Sequence, residues 1–436
     1  MSTEQPTSLD VFEELESEVR SYIRSFPAVF TKARGPYVWD AADRRYLDFF
    51  SGAGALNYGH NNPALKARLL EHLQSDGITH SLDMATEAKA RFLRRFHETI
   101  LQPRGLEYRI MFPGPTGTNA VESALKLVRK ATGHHTVIAF TDGFHGMTTG
   151  ALAVSGNRRK RRGAGLPLAH ATVMPYDGFL GDDADTIAYL ERFLDAPGSG
   201  VDTPAGVIVE TVQGEGGLRA AGMRWLRRLA AVCRDHAIPL IVDDIQAGCG
   251  RTGPFFSFEP AGITPDVVCL SKSISGYGLP MALTLIRPDL DVWEPGEHNG
   301  TFRGNNPAFV TGTAALEEFW LDDGLTRAVQ RKAQMVRARL VEMADRFSPH
   351  VIDLRGRGLI QGLACADPGF AAAVTAEAFA RGLILETSGA AGHVVKLLPP
   401  LTIDDRALHA GLDILAESLA AAVPAGVEHA EAGVRQ

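Results

Sequence analysis

Short apolar runs alternate with stretches of helical period through the middle of the chain: Ile138 to Phe140, Val207 to Val209, Leu240 to Val242 and Val267 to Leu270. Each run is apolar on both of its alternating faces, as expected for strands of a mostly parallel sheet covered by helices on both sides. Polar residues gather just past the C-terminal ends of these runs. In an open α/β sheet that edge is where ligand groups sit. From about Asn306 the pattern changes to long helices, through Trp320 and then Thr326 to Phe347, followed by short strands near Val351 to Leu354 and Val394 to Leu398. The pattern predicts a large unit over 61–305 and a smaller α/β unit over 306–436, to which the N-terminal segment 1–60 also belongs. The tail after Pro424 is rich in Ala, Gly and Glu and is expected to fray.

A chain of 436 residues can bury two cores, and its 45% hydrophobic and 22% charged composition is that of an ordinary globular protein. The net charge of −7 gives no overall attraction to nucleic acid or anionic lipid, so small molecules are the expected ligands. Neither a leader peptide nor a membrane span is evident, which makes the cytoplasm the expected location. Cys233, Cys249, Cys269 and Cys365 lack metal or redox spacing and read as reduced core fillers.

Three segments carry candidate chemistry. In the first, the small-residue turn Pro113 to Asn119 opens a helical stripe from Val121 to Lys130. Such a turn can offer free N–H groups to an anion, or can be a simple capped helix start. In the second, the apolar run Leu240 to Val242 ends in Asp243 and Asp244, followed by Gln246 and a glycine-rich stretch. A carboxylate at the end of a buried strand needs a strong partner such as a protonated ring nitrogen; alternatively one Asp caps a turn and the other is solvated. In the third, Lys272 directly follows the run Val267 to Leu270 and precedes a Gly/Ser loop. Desolvation there would lower its pKa and free the amine to bond an aldehyde. Consecutive parallel strands would bring Asp243 and Lys272 to one sheet edge.

In that order these segments resemble the fold-type-I pyridoxal-phosphate enzymes, and among them the class-III aminotransferases. The likeness runs from Asn57-Tyr58-Gly59-His60 through the Gly-Thr-Asn turn, Phe144-His145-Gly146, Glu210 to Gly217, the Asp-Asp-Ile-Gln strand end and Lys272, to Thr301 and Pro399-Pro400. It implies a large domain with a mostly parallel seven-stranded sheet and a smaller α/β domain. It also implies that Lys272 bonds the cofactor and Asp243 pairs with its ring nitrogen, with Gln246 at its phenolic oxygen and Phe144 against its ring. Gly117, Thr118 and Asn119 would hold the phosphate, His145 would lie beside Phe144, and Thr301 would arrive from a neighbouring subunit, making a homodimer the minimum unit. A potassium requirement is implied by the family alone.

An enzyme that takes an α-amine from one substrate and serves a terminal carbon on another needs a switchable carboxylate-binding cation. The family uses a glutamate paired with an arginine; the matching positions are Glu215 and Lys396. Lysine keeps the charge but loses the bidentate fork. Met147 likewise stands where several relatives carry a substrate-binding arginine. Both departures resemble the branch that acts on 2,4-diaminobutyrate in ectoine biosynthesis. That likeness implies amine transfer from L-glutamate to L-aspartate 4-semialdehyde. Diaminobutyrate transaminases of siderophore or antibiotic assembly, and other ω-amino acid transaminases, are the alternatives.

The lysine–aspartate pair alone leaves racemases, aminomutases and decarboxylases open; the Glu215 switch favours transamination. The basic run Arg158 to Arg162 reads as a solvated loop rather than a nucleic-acid site. His60 and His80 are expected to make structural hydrogen bonds, and Trp225 and Trp320 to pack in the core.

Overall fold

The computed structural model describes residues 8–424, so the tail expected to fray lies outside the described residues. Its centre is a seven-stranded sheet built from β1 (Arg109–Met111), β2 (Val137–Phe140), β3 (Ala171–Met174), β4 (Gly206–Val209), β5 (Leu240–Asp243), β6 (Val267–Leu270) and β7 (Leu283–Ile286). The spatial order is β1-β7-β6-β5-β4-β2-β3, and β7 alone runs antiparallel to its neighbours. Every residue of β2, β4, β5, β6 and β7 is buried. The continuous apolar runs are therefore explained by burial on both faces.

The helix Gly117–Thr132 follows β1. Thr116 and Asn119 form a capping box at its start, and Gly133 ends it at φ 72°, a left-handed geometry that glycine adopts without steric cost.

A second sheet holds the antiparallel strands Val351–Arg357, Ile360–Cys365, Val394–Leu397 and Glu386–Ser388, in that order. A third joins the strands Phe30–Arg34, Tyr37–Asp40 and Arg45–Asp48 to Leu383–Ile384, so N-terminal residues pair directly with C-terminal ones. Leu47 and Phe49 share one core with Val336, Leu363 and Leu412. The helix Asn306–Phe319 behaves differently from the expectation that the smaller unit starts at 306. Its Phe309 and Leu316, with Trp320, pack with Phe92 and Phe255 in the core of the large sheet. Its interior is apolar nearly all round, and helical period alone does not say which core such a helix enters.

Arg251 ties the parts together. It is fully buried, and its guanidinium donates to Leu359 O at 3.1 Å, to Pro399 O and to Asn57 Oδ1. All four cysteines are buried and unpaired, and no described helix is long and apolar enough to cross a membrane. His60 bonds Asp48 at 2.7 Å and His80 bonds Thr301 O at 2.6 Å.

Candidate active site

The C-terminal ends of β2, β4, β5 and β6 deliver Phe144 and His145, Glu210, Asp243 and Lys272 to one cavity of about 180 Å³. Gly117 and Thr118 close it from the start of the capped helix, and Gln246 and Glu215 from the loops beyond β5 and β4. The first N–H groups of that helix have no acceptor within the helix and point their dipole at the cavity. A Cβ at 117 would stand 2.9 Å from the tip of the Ile245 side chain on the facing wall, so a larger residue there would push that tip aside.

Lys272 has φ +54°, a left-handed conformation that is uncommon for a residue with a Cβ and costs about 1–3 kcal/mol. That bend turns the side chain off the strand line toward the cavity, where Nζ donates to Ala53 O at 2.8 Å. Burial pulls its pKa down to about 8, against the opposing pull of Glu215, Glu386 and Asp243. Asp243 accepts a 2.7 Å hydrogen bond from His145 Nδ1, a fully enclosed pair. Burial works against a charged His145, but the Asp243 contact outweighs it and its pKa is raised.

Asp244 is buried too, accepting from Ser257 N at 3.0 Å and from Ser257 Oγ, and burial pushes its pKa up to about 7. Neither aspartate is the solvated member of a turn.

Glu215 sits on the turn between Val212–Gln213 and Arg219–Ala220, with Oε1 2.8 Å from Lys396 Nζ. Burial would raise its pKa, but Lys396 and Lys272 together drive it well below the carboxylate range. Lys396 is completely buried and also lies 2.7 Å from Glu386, its cross-strand neighbour. Burial opposes its charge, and the two carboxylates more than restore it.

Not every expected residue reaches the cavity. The side chain of Asn119 is spent on the capping box, accepting from Thr116 N at 3.1 Å. Thr301, expected to arrive from a neighbouring subunit, is exposed on the 3₁₀ turn Thr301–Arg303 and accordingly does not line the cavity of its own chain.

The comparisons with known proteins cover the whole of this arrangement. The family "Aminotransferase class-III" matches residues 20–419. The chain belongs to the class-III aminotransferases. A diaminobutyrate–2-oxoglutarate transaminase of Halalkalibacterium halodurans is 59% identical over 417 residues, covering 96% of this chain and 97% of its own. One of Nocardia farcinica is 59% identical over 406 residues and 93% of each chain. Among solved structures, the ornithine aminotransferase of Toxoplasma gondii superposes with a TM-score of 0.83 at 27% identity, covering 95% of this chain and 93% of its own. An S-selective transaminase from Arthrobacter has a TM-score of 0.85 at 20% identity over 97% and 98% of the two chains, which speaks to the fold.

The family's cofactor is pyridoxal phosphate, which the T. gondii structure is described as holding at partial occupancy. The residues of this aminotransferase fit it. Gln246 Oε1 is buried without a hydrogen-bond partner while its Nε2 donates to Ala53 O at 3.0 Å. An orphaned oxygen, a depressed lysine, a buried carboxylate and a helix N-terminus around one cavity are what an aromatic aldehyde bearing a phosphate requires.

Three side chains of the aminotransferase's site were not singled out from sequence. Glu210 accepts from Phe144 N at 2.9 Å and Gly214 N at 3.2 Å, and burial raises its pKa to about 7. Its signal was its position directly after the run Val207 to Val209, the same signal that found Asp243. Lys160 belongs to the basic run, which is a helical turn, Arg158–Arg162, and not a solvated loop. Arg161 within it caps Leu152, Ala153 and Ser155 carbonyls, while Lys160 Nζ lies 3.9 Å from the centre of the Phe144 ring and 3.7 Å from Glu215. Glu386 is the third, and only strand register reveals it.

Proposed function

We propose that this aminotransferase moves the amine of L-glutamate to L-aspartate 4-semialdehyde, giving L-2,4-diaminobutyrate and 2-oxoglutarate for ectoine synthesis. The buried contact between Lys396 and Glu215 is the observation that carries the reading, together with the names of relatives that are 59% identical. Gly117 and Thr118 would hold the cofactor's phosphate, Gln246 its phenolic oxygen, Asp243 its ring nitrogen and Lys272 its aldehyde carbon. When bound, pyridoxal phosphate supplies a protonated ring that accepts the electron pair left when a carbon beside the amine loses its proton.

Lys272 Nζ takes that proton and returns one, a task suited to an amine whose pKa is about 8. Asp243 keeps the proton on the facing ring nitrogen, and His145, hydrogen-bonded to it at 2.7 Å, fixes its orientation. Glu215 guards Lys396. It yields to the carboxylate of glutamate and returns when the other substrate is bound. Lys396→Ala should therefore raise KM for glutamate by about two orders of magnitude while raising that for diaminobutyrate by no more than about fivefold. Steady-state kinetics in both directions measures this, and a uniform rise would show that the switch lies elsewhere.

The reading is tested by offering the glutamate-loaded enzyme three acceptors: aspartate, succinate and glutamate semialdehydes. The expected order puts aspartate semialdehyde first by at least about tenfold in kcat/KM. Equal rates would remove the substrate assignment, and no release of 2-oxoglutarate from glutamate would remove transamination itself.

We also place the working unit as a homodimer in the cytoplasm, with Thr301 of a second copy reaching the phosphate. The exposure of Thr301 and of Phe302 beside the cavity lined by His80 and Thr116 supports that arrangement. The domain division proposed is a large sheet domain that includes the helix Asn306–Phe319, and a smaller one that combines the N-terminal strands with the chain from Gly324. Potassium dependence rests on family likeness alone.

A further inference from the structure

The buried cluster beside Lys272 contains one carboxylate more than the substrate switch needs. Glu386 and Lys396 are cross-strand partners on two strands of the same sheet, whereas Glu215 reaches over from a separate hairpin. A substrate carboxylate can therefore displace Glu215, but Glu386 stays beside the lysine whichever substrate is bound. Lys396 thus stands between two carboxylates, and Lys160 lies 3.7 Å from Glu215, the one that can move away.

Accessibility points the same way. The Lys396 side chain is 0% exposed, whereas Glu386 keeps 9% and Glu215 21%, so the two acidic side chains are the more accessible members of the cluster and Glu215 lines the cavity. Glu386 Oε1 lies 2.7 Å from Lys396 Nζ, and burial raises the pKa of its carboxyl against the pull of that ammonium. The half-exposed Tyr22 lies over the same cluster: burial first, then Glu386 and Glu215, push its phenol well above the ordinary range. The amine of Lys272 also responds to Glu386, so the reacting end of a substrate and this carboxylate are within one electrostatic neighbourhood.

We propose that Glu386 is a specificity-determining residue that receives the α-ammonium of a 2,4-diamino acid and so favours it over an ω-amino acid whose far end carries only a carboxylate. The inference rests on the reading given under Proposed function. Its chemistry is simple. A substrate ammonium donates to the fixed Glu386 carboxylate, while a bare carboxylate is repelled by it and gains Lys396 only by expelling Glu215.

The test compares L-2,4-diaminobutyrate with 4-aminobutyrate, which differ only in the α-ammonium, as amine donors to the holoenzyme, with glutamate on the same preparations. The wild-type enzyme is expected to prefer diaminobutyrate. Glu386→Gln should reduce that preference in kcat/KM by at least about tenfold, mainly through KM for diaminobutyrate, and should lower KM for glutamate about threefold because Lys396 loses a competing anion. Glu386→Asp, which keeps the charge, should recover part of the preference. If Glu386→Gln slows all three amines by one common factor, or leaves the preference as it was, Glu386 has a structural role only and the inference is overturned. A wild-type enzyme that takes amine from glutamate but not from diaminobutyrate overturns the functional reading itself, and does so before any variant is made.

Discussion

Replacing Lys272 by alanine is expected to slow the glutamate half-reaction by about 10⁴-fold, with methylamine restoring part of the loss. The size follows from what Nζ does. At pH 8 a group with a pKa of about 8 is roughly half unprotonated, while an ordinary lysine near 10.4 is free to well under about one per cent. No other described amine stands on the cavity in that state: Lys396 is held charged by two carboxylates, and Lys160 lies against the Phe144 ring. Single-turnover absorbance gives the rate. Borohydride reduction of the wild-type holoenzyme followed by peptide mapping should place the label at residue 272, and a label elsewhere would contradict the assignment.

Asp243→Asn is expected to lower kcat by about 10³-fold in both half-reactions with little change in either KM. Asparagine fills the same space and its oxygen can still accept from His145 Nδ1, so the local fold should survive. What disappears is the charge that, on the proposed reading, would face the ring nitrogen. Loss of a preorganised charge in a closed site costs on the order of 3–4 kcal/mol in the transition state. Single-turnover rates with glutamate and with diaminobutyrate check this, and a variant that keeps more than about a tenth of wild-type kcat would show that Asp243 faces nothing that matters to the reaction. Asp244 is a natural contrast. Its oxygens are already engaged with Ser257 N and Oγ and it does not line the cavity, so its part is in the fold.

What sequence revealed and what it hid divide along physical lines. The central strands were legible because burial on both faces leaves an uninterrupted apolar run, and their order along the chain placed Asp243 and Lys272 at one edge. The small-residue turn before the helix was legible from its composition, and at Gly117 a Cβ would press on the tip of the facing Ile245 side chain. The residues that escaped depend on contacts across the chain. Glu386 matters because it stands opposite Lys396 in an antiparallel pair, a register that periodicity does not supply. The run Arg158 to Arg162 looks like any solvated charge cluster until one of its arginines is seen to cap carbonyls of the preceding helix and one lysine to turn inward. The helix Asn306–Phe319 was given to the wrong core because an element that is apolar nearly all round carries no direction in its sequence. Asn119 was expected at the phosphate, and what the sequence did not show is that its side-chain oxygen holds the helix start.

The left-handed bend at Lys272 has to be supported on both sides. A β-carbon forced into that well would relax if it could, so the segments on either side have to be anchored firmly. They are: Ser271 Oγ is tied to Met281 O at 2.9 Å and Ser273 Oγ to Gly54 O at 2.6 Å, one on each flank. The amine is thus aimed into the cavity by the conformation of its own chain, and it needs no ligand to hold it there.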